Sequence, residues 1–475
     1  MTVLNIDDYI KPGRRAHLVG VGGVSMSPLA EVLHGAGMVI TGSDMHDSAT
    51  VEHLRSLGIH VTVGHRAENV AGAELVIRTA AVHDVNPEIA AAREAGIPVF
   101  ERAQAWGSIM KHYRNALCIS GTHGKTTTTS MAAQILFTAG VDLSAFIGGK
   151  LPCIGGSGRA GKSDIMVCES CEFVDTFLKL YPDVAVILNV DADHLDYFGT
   201  LENVIKSFHK FAEKASRTVI YNGNDSNTRK AVEGISGKEM ITFGNTPDCD
   251  YYAAQVQHVS GMETHFIAMH HDKPMGEIVL HVAGIHNVLN AMAAIAAADH
   301  AGVPFDAIQK GLCEFRGAGR RFEKVAQVGG ITGVDDYAHH PAELTVTLNA
   351  AKEMGYRHVW AVFQPFTFSR TAMLLDDFAK ALSIADTAVL TDIMGSREKN
   401  TYHIFTRNLA EKIPGCVWFP QDETEEPNDT RKYHNFDQVC DYICKHAQPG
   451  DLVITLGCGD VYKISRRLAK ELPQG

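Results

Sequence analysis

No run of apolar residues in this 475-residue chain approaches the length of a membrane span, and the opening stretch MTVLNIDDYIKPGRR lacks the apolar segment of a secretory signal. Tryptophan is scarce, and neither internal repeats nor low-complexity tracts occur. Positive charge is in deficit: 43 Lys and Arg face 55 Asp and Glu, a formal net charge of −12. That balance excludes generic binding to nucleic acid or to an anionic membrane surface. Any phosphate must be held by local loops and a few placed cations. The ten cysteines form no framework either. They are scattered, with one CxxC at Cys168 and Cys171 and no second pair at a zinc-site spacing. The 24 histidines form only short pairs. Buried free thiols in a cytoplasmic protein are expected rather than disulfides or a structural metal.

What the chain does have is three strand–loop–helix openings, and its length exceeds what one core can serve. The first opening is RAHLVGVGGVSMSPLAEVLHGAG, residues 15–37, followed by MVITGSD ending at Asp44 and further strands in ELVIRTA (74–80) and IPVF (97–100). The second begins with NALCIS (115–120), and DIMVCE (164–169) and VAVILNVDADHLD (184–196) read as buried strands ending in charge. The third follows FRGAGRRFE (315–323), with strands in HVWAVFQP, TAVLTDI and DLVITLG. The stretch QDETEEPNDTRK (421–432) reads as a solvated loop. Strands alternating with helices predict parallel sheets. The expected fold is α/β in three domains: a Rossmann-like domain at 1–112, a central P-loop ATPase-type domain at 113–320 and a Rossmann-like C-terminal domain at 321–475.

The strand 115–120 feeds GTHGKTTTT, residues 121–129. Glycines let backbone N–H groups turn toward an anion, and the helix that follows offers its positive end. Lys125 supplies a point charge for outer phosphates, and Thr126 a hydroxyl for Mg²⁺. The loop is shorter than the common GxxxxGK[ST]. GVGGVS (20–25) is more ambiguous. Gly20-x-Gly22 fits a dinucleotide-type turn, Ser25 replaces the third glycine, and Asp44 stands where a ribose-binding acid often sits. A nicotinamide site, another diphosphate nucleotide and a mere tight turn all remain open. In the middle segment Glu169, Asp193 and His194 end strands, and groups at the carboxyl ends of parallel strands face the ligand crevice. Thr126, Glu169 and His194 are thus candidates to converge on Mg²⁺ bridging ATP and an acceptor.

In order along the chain, GVGGVSMSPLAEVL, GSD, NPEIAAAREAGIPV, GTHGKTTTT, NVDADHLDYFG, GIHNVLNAMAAIA, FRGAGRRFE, DDYAHHPAE, FQPFTFSRT and SREKN resemble the motifs of the Mur ligases of bacterial peptidoglycan synthesis. The resemblance implies ATP-dependent joining of L-alanine to the lactyl carboxylate of UDP-N-acetylmuramate through an acyl phosphate. The alternative is addition of a recycled tripeptide to the same UDP-sugar. It implies that Gly121, Thr122, His123, Gly124, Lys125, Thr126 and Thr127 hold the ATP phosphates, and that Thr126, Glu169 and His194 serve magnesium. It places His286, Asn287 and Asn290 near the adenine. Arg320 reaches phosphate from the domain junction, and Asp336, Tyr337 and His340 border the nucleotide or the reacting centre. Gly22, Gly23, Val24, Ser25, Asp44 and His65 would bind the UDP-sugar, and Arg370 and Arg397 would face the amino acid or product. Lys125, Glu169, His194 and Arg320 would carry the catalysis. A monomer or homodimer acting on small molecules, without nucleic acid or membrane insertion, is implied. Two stretches depart from the family pattern: ESCEFVD stands where EADESD is usual, leaving Glu169 and Glu172, and Phe366 stands where histidine is common.

Overall fold

The computed structural model describes residues 4–79, 82–260, 262–282, 284–396, 398–419 and 435–472. Arg397 and the stretch 421–432 lie outside the described residues. The central strands are continuous apolar runs because both faces of each are covered, as in parallel sheets flanked by helices. The first sheet contains β1 (Arg15–Val19), β2 (Val39–Asp44), β3 (His60–Val63), β4 (Leu75–Arg78) and β5 (Val99–Glu101). Its order is β3-β2-β1-β4-β5 and every pairing is parallel. The order reverses between β1 and β4. Ligands of open α/β sheets sit at such a switch point, outside the carboxyl ends of the strands. The loop Gly20–Ser25 leaves β1 there.

The second sheet contains β6 (Asn115–Ser120), β7 (Ser144–Leu151), β8 (Gly156–Arg159), β9 (Ile165–Glu169), β10 (Val184–Ile187), β11 (Thr218–Asn222), β12 (Glu239–Gly244), β13 (Tyr251–Ser260), β14 (Glu263–His270) and β15 (Lys273–Leu280). Its order is β15-β14-β13-β12-β11-β10-β6-β9-β7-β8. β6 lies between β10 and β9 and is parallel to both, so the loops leaving these three strands open on one edge. The third sheet contains β16 (Glu323–Val328), β17 (Ile331–Asp336), β18 (Val359–Phe363), β19 (Thr387–Leu390), β20 (Val417–Trp418) and β21 (Leu452–Leu456), ordered β16-β17-β21-β18-β19-β20. Only the edge strand β16 runs antiparallel to its neighbour.

The chain divides into two compact units. One holds 1–256, 265–279 and 287–315; the other holds 257–264, 280–286 and 316–475. The ten cysteines are all free thiols; Cys168 is buried and Cys171 is exposed, so only one of the CxxC pair is buried as expected. Among the described residues no helix is long and apolar enough to cross a membrane.

One sequence expectation fails in detail. The stretch 184–196 is a strand only over Val184–Ile187, and Asp193 and His194 lie in the loop beyond it. Asn189 and Asp191 are spent on the phosphate loop instead of the ladder: Asn189 binds His123 and the Asp191 N–H binds Thr122. His194 then starts the short helix Leu195–Phe198 from a left-handed backbone, φ 53°.

The first sheet also buries a polar network that the sequence did not signal. Glu88 is fully buried; it accepts from Ser43 Oγ (2.7 Å) and Asn69 Nδ2, with His65 Nδ1 at 3.0 Å and His17 Nε2 at 3.7 Å. Burial by itself raises a carboxyl's proton affinity. The His17, Asn69 and Ser43 partners outweigh it and bring Glu88 down to about 2. Glu88→Ala is expected to destabilise the protein by about 3 kcal/mol at neutral pH, since it strands buried donors. The contribution belongs to the ionised form, so it is present above the ordinary carboxylate range and is lost as pH falls toward 2. Urea melts of both proteins across that range measure the convergence.

Candidate active site

The phosphate-type loop is built by two glycines whose backbones other residues rarely adopt. Gly121 has φ 145° and Gly124 has φ 83°. A Cβ on Gly121 would come within 2.8 Å of Leu188 Cβ, and one on Gly124 within 2.4 Å of Asn290 Oδ1. The loop is clamped from the β10 side. His123 N donates to Asn189 Oδ1 (2.8 Å), Asn189 Nδ2 donates to the His123 carbonyl (3.1 Å), and Thr122 N donates to the Asn189 carbonyl (3.1 Å). From Gly124 the chain enters the helix Lys125–Thr138, whose first N–H groups and positive dipole end lie at the loop. Thr127 lies on its first turn, half-buried.

Lys125 folds back over its own loop. Its Nζ donates to the carbonyls of Gly121 (2.6 Å) and Thr122 (3.0 Å) and pairs with Glu172 at 2.9 Å. Burial disfavours the ammonium, but the Glu172 carboxylate more than offsets it and holds Lys125 above its ordinary value. Thr126 Oγ1 donates to Glu169 Oε1 at 2.9 Å, and the other oxygen of Glu169 accepts from Gly148 N at 2.6 Å. His194 Nε2 stands 3.9 Å from Glu172 and 3.8 Å from Asp193, with its ring against Phe173. Lys125, Thr126, Glu169 and His194 thus gather where β6, β9 and β10 end. Sequence reasoning assigned no role to Glu172 or Asn189. Glu172, 1% exposed, sits between Lys125 and His194. The available signal was position: both residues stand just past the carboxyl end of a buried strand.

Asn287 and Asn290 are buried in the helix His286–His300, where Asn290 Nδ2 donates to Asn287 Oδ1 (2.9 Å) beside Gly124. His286 is exposed at the helix start. In the first sheet, Asp44 Oδ2 accepts from Gly22 N (2.9 Å), so this acid braces the glycine loop. Gly23 lies within that loop, Val24 is exposed, and His65 belongs to the Glu88 network.

In the C-terminal unit Arg320 adopts φ 61°, a costly backbone that is held by many contacts. Its Nε donates to Asp335 (2.9 Å), and its Nη1 and Nη2 donate to the carbonyls of Gly459 (3.2 Å) and Gly457 (2.5 Å). The rings of Tyr337 and Tyr462 lie against its guanidinium. Asp335 was not anticipated from sequence. Asp336 accepts from Phe322 N (2.7 Å) and Ala338 N (2.8 Å). Burial pushes it up to about 6, with Arg321 and the two N–H donors opposing. His340 caps the helix Pro341–Glu353. Arg370 lies on the helix Phe368–Met373, just past β18, and its Nη1 is buried with no hydrogen-bond partner among the described residues.

The chain thus carries a phosphate-type loop beside a hydroxyl–carboxylate oxygen pair on one sheet and a second glycine loop on another, and the comparisons cover the chain from end to end. Residues 15–114 match the model of the Mur ligase family catalytic domain, 119–298 that of the Mur ligase middle domain, and 320–459 that of the Mur ligase glutamate ligase domain. The UDP-N-acetylmuramate–L-alanine ligase of Caldanaerobacter subterraneus subsp. tengcongensis is 40% identical over 460 residues, 96% of this chain and 98% of that one. The enzyme of that name from Acetivibrio thermocellus is 41% identical over 461 residues, 96% of each chain. Among solved structures, a UDP-N-acetylmuramate–alanine ligase from Thermotoga maritima superposes with a TM-score of 0.79 at 28% identity, covering 96% of this chain and 98% of that one. A murein peptide ligase from Psychrobacter arcticus gives 0.70 at 23% identity, covering 97% and 99%, a likeness of fold. With three domain models matched in order and full-length relatives at this identity, the chain belongs to the Mur ligase family.

Proposed function

We propose that this chain joins L-alanine to the lactyl carboxylate of UDP-N-acetylmuramate at the expense of ATP, in peptidoglycan precursor synthesis. The observation that carries an ATP-dependent ligation is the placing of Lys125 over its glycine loop beside the Thr126–Glu169 pair, past the carboxyl ends of β6 and β9. The curated relatives' names support alanine as the amino acid over a recycled tripeptide. The domain division 1–112, 113–320 and 321–475, the site roles below and a cytoplasmic location are part of the same proposal.

A carboxylate resists amines because oxide is a poor leaving group. In the proposed reaction a lactyl carboxylate oxygen bonds to the γ-phosphorus as the bond to ADP breaks, giving an acyl phosphate. The alanine amine, freed of its proton, attacks the carbonyl carbon; the tetrahedral adduct expels phosphate and leaves an amide. The chain's task is positioning and charge neutralisation. Lys125 exchanges Glu172 and the loop carbonyls for the outer phosphates. The first N–H groups of the helix Lys125–Thr138 hold the phosphate oxygens, and His286, Asn287 and Asn290 flank the adenine. Arg320, with the Tyr337 ring against its guanidinium, supports the reacting phosphate, and Asp336 and His340 border the nucleotide or the reacting centre.

The donors at Thr126 and Glu169 are hard oxygens, which fit Mg²⁺. That ion takes one or two carboxylates and completes its shell with phosphate oxygens and water. Among the described residues no three His, Cys, Asp or Glu side chains form a metal-holding group, so a protein-only cage is absent there. Thr126 and Glu169 would hold Mg²⁺, with His194 serving it from the Glu172 side; when bound, the ion would neutralise charge between the phosphates and the carboxylate.

For the amino acid, Arg370 offers a planar fork to the alanine carboxylate, with Arg397 as a further candidate. Among the described residues Arg370 enters no ion pair, and its Nη1 lacks a partner. Arg370→Ala is expected to raise the KM for L-alanine about tenfold to hundredfold, the loss of one charge-assisted bond. The KM for ATP and for the UDP-sugar should change little. Steady-state kinetics with each substrate varied in turn checks this. An equal loss for all three substrates would remove Arg370 from the amino-acid site.

A further inference from the structure

Arg102 is the first residue of the helix Arg102–Met110, directly after β5. A cation is disfavoured there, because that end of a helix already carries positive partial charge. The side chain is partly withdrawn from water, and that burial works against its charge. The neighbouring Glu101 carboxylate favours the charge only in part, and it is paired with Lys179. Among the described residues Arg102 forms no ion pair. Its Nη1 instead donates to Ser25 Oγ, and one turn later Trp106 Nε1 donates to the Ser25 carbonyl at 3.4 Å.

Ser25 ends the glycine loop at the switch point of the first sheet. That loop, GVGGVS, has no cation of its own, and Asp44 lies against it at Gly22. Arg78, at the end of the adjacent strand β4, is committed to Asp84 (2.5 Å) and the Val82 carbonyl (3.3 Å). The loop thus has the backbone for a phosphate but an adverse local charge, and the guanidinium touching it lacks an anion. We propose that Arg102 is the counter-charge for a diphosphate seated on the Gly20–Ser25 loop, that of the UDP-sugar. The assignment rests on reading the first domain as the sugar-nucleotide site. One fork position of Arg102 is used by Ser25, and the remaining N–H groups suit the oxygens of two linked phosphates.

The test compares UDP with UMP, which differ by the one phosphate. In calorimetric titrations of the full chain, with ADP present to fill the other phosphate loop, UDP is expected to bind more tightly than UMP. Arg102→Ala should weaken UDP by about tenfold or more and UMP by less than about twofold. Arg102→Lys, which keeps the charge and loses the fork, should fall between and provides the comparison if the alanine variant fails to fold. Equal losses for UDP and UMP would show that Arg102 only braces the loop, and unchanged UDP affinity would show that its charge serves no diphosphate; either overturns the proposal. Wild-type protein that binds neither UDP nor the intact UDP-sugar would overturn the sugar-nucleotide reading itself, and this proposal with it.

Discussion

Lys125→Ala is expected to slow ligation by about a thousandfold or more, because it removes the cation placed for the outer phosphates. The structure adds a consequence that the loop position of Lys125 conceals. The ammonium pairs with Glu172, which is 1% exposed, so deleting it leaves a buried carboxylate without its partner. Breaking a buried pair in this way costs about 3–5 kcal/mol. The single variant should therefore melt well below the wild type, and low activity in it would be ambiguous on its own. Lys125→Ala combined with Glu172→Gln separates the two effects. The double variant should recover most of the lost stability and none of the activity. Turnover near the wild-type rate in either protein would remove Lys125 from the phosphate site.

Glu169→Gln is expected to lower the rate by about ten- to hundredfold at limiting Mg²⁺, with partial recovery at excess. The substitution is nearly isosteric. An amide oxygen accepts from Gly148 N as the carboxylate does, and the amide nitrogen donates to Thr126 Oγ1. Only the negative charge is lost, so the fold should be kept. Magnesium titrations of wild type and variant read the effect directly as a shift of the half-saturating concentration. Coincident titration curves would make Glu169 a purely structural partner of Thr126.

The legible part of this molecule was its strand ends. Parallel strands covered on both faces read as apolar runs, and a polar residue closing such a run stands out. Glu169 was found in that way, and Lys125 and Thr126 from the glycine loop after β6; Thr126 bonds Glu169 directly, while Lys125 pairs with Glu172. Chain reversal hid the rest. His194 sits seven residues beyond its strand, because Asn189 and Asp191 leave the ladder to clamp the phosphate loop. Glu172 follows β9 by three residues, and only the fold shows that it faces Lys125. The carboxylates that position others were equally silent. Glu88 lies within an ordinary amphipathic helix, and Asp335 precedes an acid that already had an assignment. Arg102 belongs to none of the motifs read from the sequence, and its contact with Ser25 spans 77 positions.

The most direct measurement follows oxygen. UDP-N-acetylmuramate carrying ¹⁸O in the lactyl carboxylate is incubated with the protein, ATP and L-alanine, and the released phosphate and the sugar product are weighed by mass spectrometry. An acyl-phosphate route predicts one labelled oxygen in the phosphate for each amide formed, with alanine joined to the sugar and ADP released in equal amount. Phosphate without label, or ADP release that needs neither the UDP-sugar nor the amino acid, would contradict the account.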